Sequence, residues 1–300
     1  MAHKDRFMLI DIGICTFRRD SLRDSLRSVA AQVLPAGIGL RVLVADNDEV
    51  PSARPLVLRC AAEFGLDCRY LHAPARNISV ARNACLDAAE APFMAFLDDD
   101  EDAEPDWLAQ LLAEQQRGGA DVVFGPMLAR YGADAPAWAP AADLHSIRPV
   151  FRAQGRIETG YTSNVLIRLA AVRDCRFDPR LGRSGGEDTA FFAALYAGGC
   201  RLGYAPAAVV HEDVPNQRLR LRWVLTRAFR SGQVHGRVLH ARTGRRLRPA
   251  AVATAKALYC LGGSLSRLAS PPGWRRYLAR AALHVGVAAR LLGVRELRLY

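Results

Sequence analysis

Lysine is almost missing from this 300-residue chain: of 41 basic residues only Lys4 and Lys256 are lysine. Codon bias produces the same one-sided usage, so it assigns no role by itself. Acid is missing too, but only locally. Residues 216–300 hold 18 Lys and Arg against one acid, Glu296, a balance of +17, whereas the first 215 residues hold 23 basic and 29 acidic residues, a balance of −6. The net charge of +11 therefore belongs to the tail. No C-x-x-C pair occurs among the seven scattered cysteines, which argues against a structural zinc site or a disulfide framework and fits small core residues of a reduced cytosolic protein. No window of 18 uncharged apolar residues exists, which argues against an ordinary transmembrane helix. Met1 to Arg6 is polar and the apolar run behind it reads as a strand, so no secretory signal is expected.

Half of the residues are hydrophobic, enough for one large α/β domain or a domain with an appendage. The central stretch is Phe93-Met94-Ala95-Phe96-Leu97, an apolar run that ends in five acids, Asp98 to Asp102. The run reads as a buried strand of a parallel sheet. The acids then lie at its carboxyl end, the edge where open α/β sheets bind ligands. Two carboxylates about 4 Å apart repel by roughly 4 kcal/mol at an effective dielectric near 20. Helical patterning resumes at once in Pro105-Asp106-Trp107-Leu108, so the cluster reads as a divalent metal site; the bland alternative is a solvated acidic loop.

Strand and helix alternate around it. Phe7 to Thr16 and Leu40 to Ala45 read as strands, the second ending in Asp46-Asn47-Asp48-Glu49. Helices are expected with an apolar face at Leu22, Leu26, Val29 and Val33, then over about Arg54 to Phe64 and Ser79 to Glu90, with a short strand near Asp67 to Leu71. This is the pattern of a doubly wound sheet, and right-handed crossovers put Thr16, Asp46 and Asp98 on one edge. A helix (Trp107 to Arg117) and a strand (Asp121 to Leu128) follow. Tyr131 to Pro149, with three prolines, reads as a mobile loop that could cover a substrate. Gly160 to Arg168 enters another strand.

Gly182-Arg183-Ser184-Gly185-Gly186-Glu187-Asp188 opens a helix running to about Ala197; two acids suit the dipole of its first turn, and the glycine pair lets backbone approach a ligand closely. Short strands Leu202 to Tyr204 and Ala208 to Val210 deliver His211 at a strand end. The tail begins with a helix from Arg218 to about Leu239. Two apolar stretches then follow, Ala250 to Ala269 and Tyr277 to Val294, each interrupted by cations and separated by Ser270 to Trp274. They suit helices lying in a membrane interface or packing on the domain. Without aromatic interleaving or a recognisable module, nucleic acid is the weaker use of the charge.

Several motifs occur in the order and spacing of family 2 glycosyltransferases: Ile12 to Arg19, Val44-Ala45-Asp46-Asn47, Arg76 to Asn83, Asp98-Asp99-Asp100, Gly185-Gly186-Glu187-Asp188 and Val209-Val210-His211. Over about residues 7 to 235 the chain resembles the branch that builds bacterial cell-surface polysaccharides, similar to succinoglycan-type glucosyltransferases. The resemblance implies an α/β GT-A fold, with a mostly parallel central sheet over 1–215 and a basic helical region over 216–300. It implies an inverting transfer from a nucleoside diphosphate sugar, with Mg²⁺ or Mn²⁺ as cofactor. Thr16 and Arg18 would border the nucleotide, Asp46 would accept the N3 proton of a uracil-like base, and Arg82 would pack near the nucleobase. Asp98 and Asp100 form the D-x-D pair, with Asp99 between them and Asp100 as direct metal ligand. Asp188, beside Glu187, takes the general-base position, and His211 helps hold metal and diphosphate. Glu101 and Asp102 are expected to lead into the next helix.

One departure bears on product. Processive synthases of the family carry Q-x-x-R-W, whereas Leu219 stands where the glutamine of Arg222-Trp223 should be, so one sugar per encounter is expected. The acceptor would be a lipid-linked saccharide, at an anionic membrane surface contacted by residues 216–300 on the inner face of the bacterial plasma membrane. An EF-hand loop fails because Ala103 and Ala109 replace its glycine and its last glutamate. A rival reading, a membrane-docked non-catalytic protein with a degenerate transferase domain, predicts nucleotide binding without turnover.

Overall fold

The computed structural model describes residues 8–172 and 174–297. The readings on Met1 to Arg6 and on Phe7 lie outside the described residues. The chain opens with β1 (Met8–Thr16), α1 (Leu22–Ala30), β2 (Ile38–Asp46), α2 (Arg54–Phe64), β3 (Cys68–His72), α3 (Ile78–Ala88) and β4 (Phe93–Asp98). There follow β5 (Glu101–Ala103), α4 (Trp107–Gly118), β6 (Val122–Phe124), β7 (Met127–Tyr131), α5 (Trp138–Ala142), β8 (Asn164–Arg168), α6 (Leu169–Val172), α7 (Glu187–Ala197), β9 (Leu202–Tyr204) and β10 (Val210–Val214). The end is helical: α8 (Leu221–Thr243), α9 (Leu247–Leu265) and α10 (Pro271–Leu291).

Seven strands form one sheet in the order β3-β2-β1-β4-β8-β6-β9. β1 pairs in parallel with β2 and β4, while β8 runs antiparallel to β4 and β6. The sheet is thus mixed, with a parallel half that sets the functional edge. There Thr16 lies opposite Asp46 and Cys15 opposite Asp98, the juxtaposition expected from right-handed crossovers. β1 is covered on both faces. Ile10, Ile12 and Ile14 pack into one apolar cluster and Cys15 into the other. A Cβ on Gly13 would meet Met94 Cε at 2.4 Å and Phe96 Cε1 at 2.9 Å, so a larger residue there would have to displace β4 side chains that cross this strand.

Several elements differ from expectation for local reasons. α1 buries Leu22, Leu26 and Val29, but it stops at Ala30, and Val33 is 66% exposed beyond it. The strand expected over Asp121 to Leu128 is two strands in different sheets, divided at Gly125-Pro126. Proline has no N–H for a ladder there, and a Cβ on Gly125 would lie 2.2 Å from Ala208 O. Asn164 closes the gap: its Nδ2 donates to Pro126 O (2.9 Å) and Ala208 O (2.7 Å), and its Oδ1 accepts from Trp107 Nε1 (2.8 Å). His211 lies inside β10 rather than after a strand, and Glu101 and Asp102 form β5 instead of leading into α4.

The chain divides into two compact units. The first comprises Met1–Leu128, Ile147–Arg183 and Glu187–Glu212; the second comprises Ala129–Ser146, Ser184–Gly186 and Asp213–Tyr300. The segment expected as a mobile cover belongs, over Ala129–Ser146, to the second unit and is packed there. His145, 2% exposed, stacks on Trp223, meets Tyr131 Oη at 3.2 Å and Arg218 O at 3.0 Å. Arg276 Nε donates to Ala142 O at 2.9 Å. Within this unit α8 and α10 touch backbone to backbone: a Cβ on Gly232 would lie 1.9 Å from Leu283 O, and one on Gly286 2.0 Å from Phe229 O. Ser270 to Trp274, expected as a separator, instead starts α10, with proline in its first turn where no N–H is needed.

Candidate active site

The site grows from the carboxyl ends of β1, β2 and β4, where Thr16 of β1 lies beside the acids that end the other two strands. Thr16 Oγ1 donates to Asp99 Oδ2 at 2.7 Å, and both residues are buried. Arg19, unassigned by the sequence reading, ion-pairs with Asp100 and sits 3.6 Å from Asp99. Burial, with Asp100 close by, pushes Asp99 up to about 6 against the pull of Arg19 and the Thr16 hydroxyl. Arg18 has a left-handed backbone (φ 53) and grips Asp48 in a fork of 2.7 and 3.0 Å. This hydrogen-bonded fork holds the Asp48 carboxyl well below the usual range.

Asp46 has a different job from the one expected. Its carboxylate is fully buried and accepts from Asp48 N (3.0 Å), Ala53 N (2.8 Å) and Tyr70 Oη (2.8 Å). It therefore ties the β2–α2 turn and offers no exposed oxygen to a base. Asn47 Oδ1 accepts from Asn77 N at 2.9 Å, and Asn77 in turn caps α3 through Ser79 N at 3.1 Å. That cap aims the next functional residue.

Arg82 leaves α3 with 7% exposure and joins acids far apart in sequence. Its Nη1 donates to Glu187 Oε1 at 2.5 Å and its Nη2 lies 3.7 Å from Asp98 Oδ1. Its guanidinium also sits over the Phe177 ring at 5.7 Å. Arg82 thus sits between the first acid of the Asp98 cluster and the start of α7. Breaking a buried pair of this kind from one side costs about 3–5 kcal/mol.

Around it the carboxylates are protonated more readily than usual. Burial, joined by the charges of Asp100, Asp99 and Glu212, raises Asp98 to about 7 against Arg82. Burial also raises Glu101 well above its ordinary value, with Asp98 adding to it; Glu101 Oε2 accepts from Asp98 N at 3.0 Å. Asp188 is pushed up to about 6 by burial and by Glu187, opposed by Arg82 and by bonds from Thr189 N (2.6 Å) and Thr189 Oγ1 (3.2 Å).

Two buried polar atoms here have no hydrogen-bond partner: Glu187 Oε2 and His211 Nδ1. His211 faces Asp102 across the β5–β10 ladder, and its Nε2 meets Glu104 Oε1 at 2.8 Å. That contact orients the ring and leaves Nδ1 buried without a hydrogen-bond partner. Among the described residues, no three His, Cys, Asp or Glu side chains gather closely enough to hold an ion by themselves. Oxygen donors at Asp98 and Asp100 with an unpaired imidazole nitrogen fit Mg²⁺ or Mn²⁺ that takes its remaining oxygens from a phosphate.

The family description "Glycosyl transferase family 2" matches residues 11–176. The chain is 47% identical over 296 residues to the succinoglycan biosynthesis protein ExoM of Rhizobium meliloti (strain 1021), covering 97% of this chain and 95% of that one. It is 30% identical to the pre-mycofactocin glycosyltransferase of Mycobacterium tuberculosis (strain CDC 1551 / Oshkosh), over 65% of this chain and 41% of that protein. Its fold resembles S. aureus TarS 1-349 in complex with UDP, with a TM-score of 0.55, 17% identity and coverage of 95% and 92%. The same protein in complex with UDP-GlcNAc gives a TM-score of 0.56 at 15% identity.

Proposed function

The chain belongs to glycosyl transferase family 2 and is a glycosyltransferase of GT-A-like α/β fold, and from that premise we propose an inverting, metal-dependent, non-processive transfer. The donor is a nucleoside diphosphate sugar with uracil as its base, in line with the UDP and UDP-GlcNAc complexes of TarS. The acceptor is a lipid-linked or oligosaccharide hydroxyl in cell-surface polysaccharide synthesis, by likeness to ExoM.

One observation carries the reading: Arg82 contacts Asp98 and Glu187 at once, so the acids after β4 and those opening α7 surround one space. Asp98 and Asp100 would hold Mg²⁺ or Mn²⁺ together with oxygens of the donor diphosphate, and His211 would help hold metal and diphosphate. The ion, when bound, neutralises charge developing on the leaving diphosphate. Arg82 adds a fixed positive charge beside Asp98. Thr16 holds Asp99 by its hydroxyl, and Arg18, 54% exposed in its side chain, remains open to the nucleotide. Asp46 shapes the base-side turn rather than meeting the base.

Single displacement needs a carboxylate to take the acceptor hydroxyl proton opposite the leaving group. Asp188 takes that role, its basicity raised toward neutral pH by burial and by Glu187, while Glu187 is held by Arg82. Residues 216–300, with 18 cations and one acid, hold the enzyme peripherally on the inner face of the plasma membrane, where lipid-linked acceptors lie. Asp188→Asn tests the core of the reading. Transfer should be lost while metal-dependent nucleotide binding stays near wild type; loss of nucleotide binding instead would remove Asp188 from the role of base.

A further inference from the structure

Helix α9 buries its small side chains and exposes its large ones. The inward stripe is Ala250, Ala253, Ala257, Cys260 and Ser264. Ala250 and Ala253 pack with Val287, Ala288 and Leu291, and Ser264 Oγ donates to Trp274 O at 3.0 Å. Beside that stripe Leu258, Leu261 and Leu265 form one row at i, i+3 and i+7, with Leu247 in line at the helix start, all exposed, and Tyr259, 73% exposed, projects about 100° farther round than Leu258. Single exposed leucines are ordinary, but a row of them along one helix face marks a surface that binds something.

Charge narrows the occupant. Arg245, Arg246 and Arg248 stand at the start of α9, Arg267 and Arg275 beyond its end, and no acid occurs from Asn216 to Arg295. An apolar stripe bracketed by cations complements an anionic lipid surface, whose phosphates meet the arginines while the acyl boundary takes the leucines. A second copy of this chain would bring the same positive charge to the contact. Among the described residues no helix is long and apolar enough to cross a membrane, so the contact lies in the plane of the surface.

We propose that α9 is an interfacial helix, lying flat in an anionic bilayer surface with Leu258, Leu261 and Leu265 in the acyl boundary and Tyr259 at its headgroup edge. This rests on the membrane association proposed above and names the element that carries it. The test mixes the full-length protein with phosphatidylcholine vesicles, with and without phosphatidylglycerol. The wild type should sediment with the anionic vesicles only. The Leu258→Gln/Leu265→Gln variant should bind them about tenfold or more weakly, since two leucines no longer enter the acyl region. Its donor hydrolysis should match wild type, which shows that the fold is kept. In Tyr259→Trp, brominated acyl chains should quench fluorescence beyond the wild-type background. Binding retained by the double variant, or an unquenched Tyr259→Trp, overturns the assignment to α9 while membrane association stands. A wild type that ignores anionic vesicles overturns both. Self-association of the wild type without vesicles, lost in the double variant, gives the face to a second copy instead.

Discussion

The sheet edge of the first unit and the helices of the second use charge in opposite ways. At the edge, acids at the ends of β2 and β4 and one opening α7 are tied to specific partners: Asp99 to Thr16, Asp48 to Arg18, Asp98 and Glu187 to Arg82. In the helices, cations prevail and glycine and alanine line the contacts, with large apolar groups of α9 left outside. Chemistry needs carboxylates held in fixed positions and partly deprived of water. Attachment to a surface needs unsatisfied apolar area and unopposed charge. The two units therefore respond to different perturbations.

The largest effect is expected at the edge. Asp188→Asn should lower transfer by about 10²–10⁴-fold, read as kcat at saturating donor; a fall below tenfold would break the claim that this acid is the base. Next, Arg82→Met should cost about 3–5 kcal/mol of stability, because Glu187 loses its partner while still buried. Urea unfolding reads this, and a loss under about 1 kcal/mol would make the pair a surface-like one. In the second unit Gly286→Val should cost about 1–3 kcal/mol by forcing α10 away from Phe229 O. It should do so without moving the pH dependence of transfer.

That pH dependence sharpens the contrast. With Asp188 raised to about 6, transfer should fall about tenfold per pH unit below that value as the base becomes protonated. Stability should move the other way. A carboxyl whose folded value is raised binds its proton more tightly when folded, so its contribution is present below about 4 and lost as pH rises through about 6. Rate and unfolding profiles that rise together across this window would contradict the assignment. The smallest effect belongs to an exposed pair: Glu63→Gln, which removes the partner of Arg23, should change stability by less than about 1 kcal/mol.

Much of the edge was legible in the sequence because its strands are local runs that end abruptly in acids. Asp98 and Asp188 could be marked from such ends and from a glycine pair. The use of each acid was not legible, because it depends on contacts across long separations. Asp46 looks like an exposed strand-end acid until Tyr70 and Ala53 are found on its oxygens. Arg82 reads as one arginine of a helix, and only the fold brings Glu187, 105 residues on, to its guanidinium. Glu101 and Asp102 escaped because a three-residue strand needs β10, more than 100 residues later, to exist at all. A Pro126 inside an apolar run was the available signal for the break between β6 and β7, and Leu219, 6% exposed, has become a core residue where processive relatives carry glutamine.

Asn164 carries a consequence for how the first unit assembles. Its amide joins Trp107, Pro126 and Ala208 across separations of 57, 38 and 44 residues. No one of these segments can satisfy it without the other two, and a half-bonded amide in a dry interior is strongly penalised. The antiparallel half of the sheet should accordingly form late and in a single cooperative step, after the locally connected parallel half. A chain still emerging from synthesis would hold the parallel strands folded while those around Asn164 wait for Ala208.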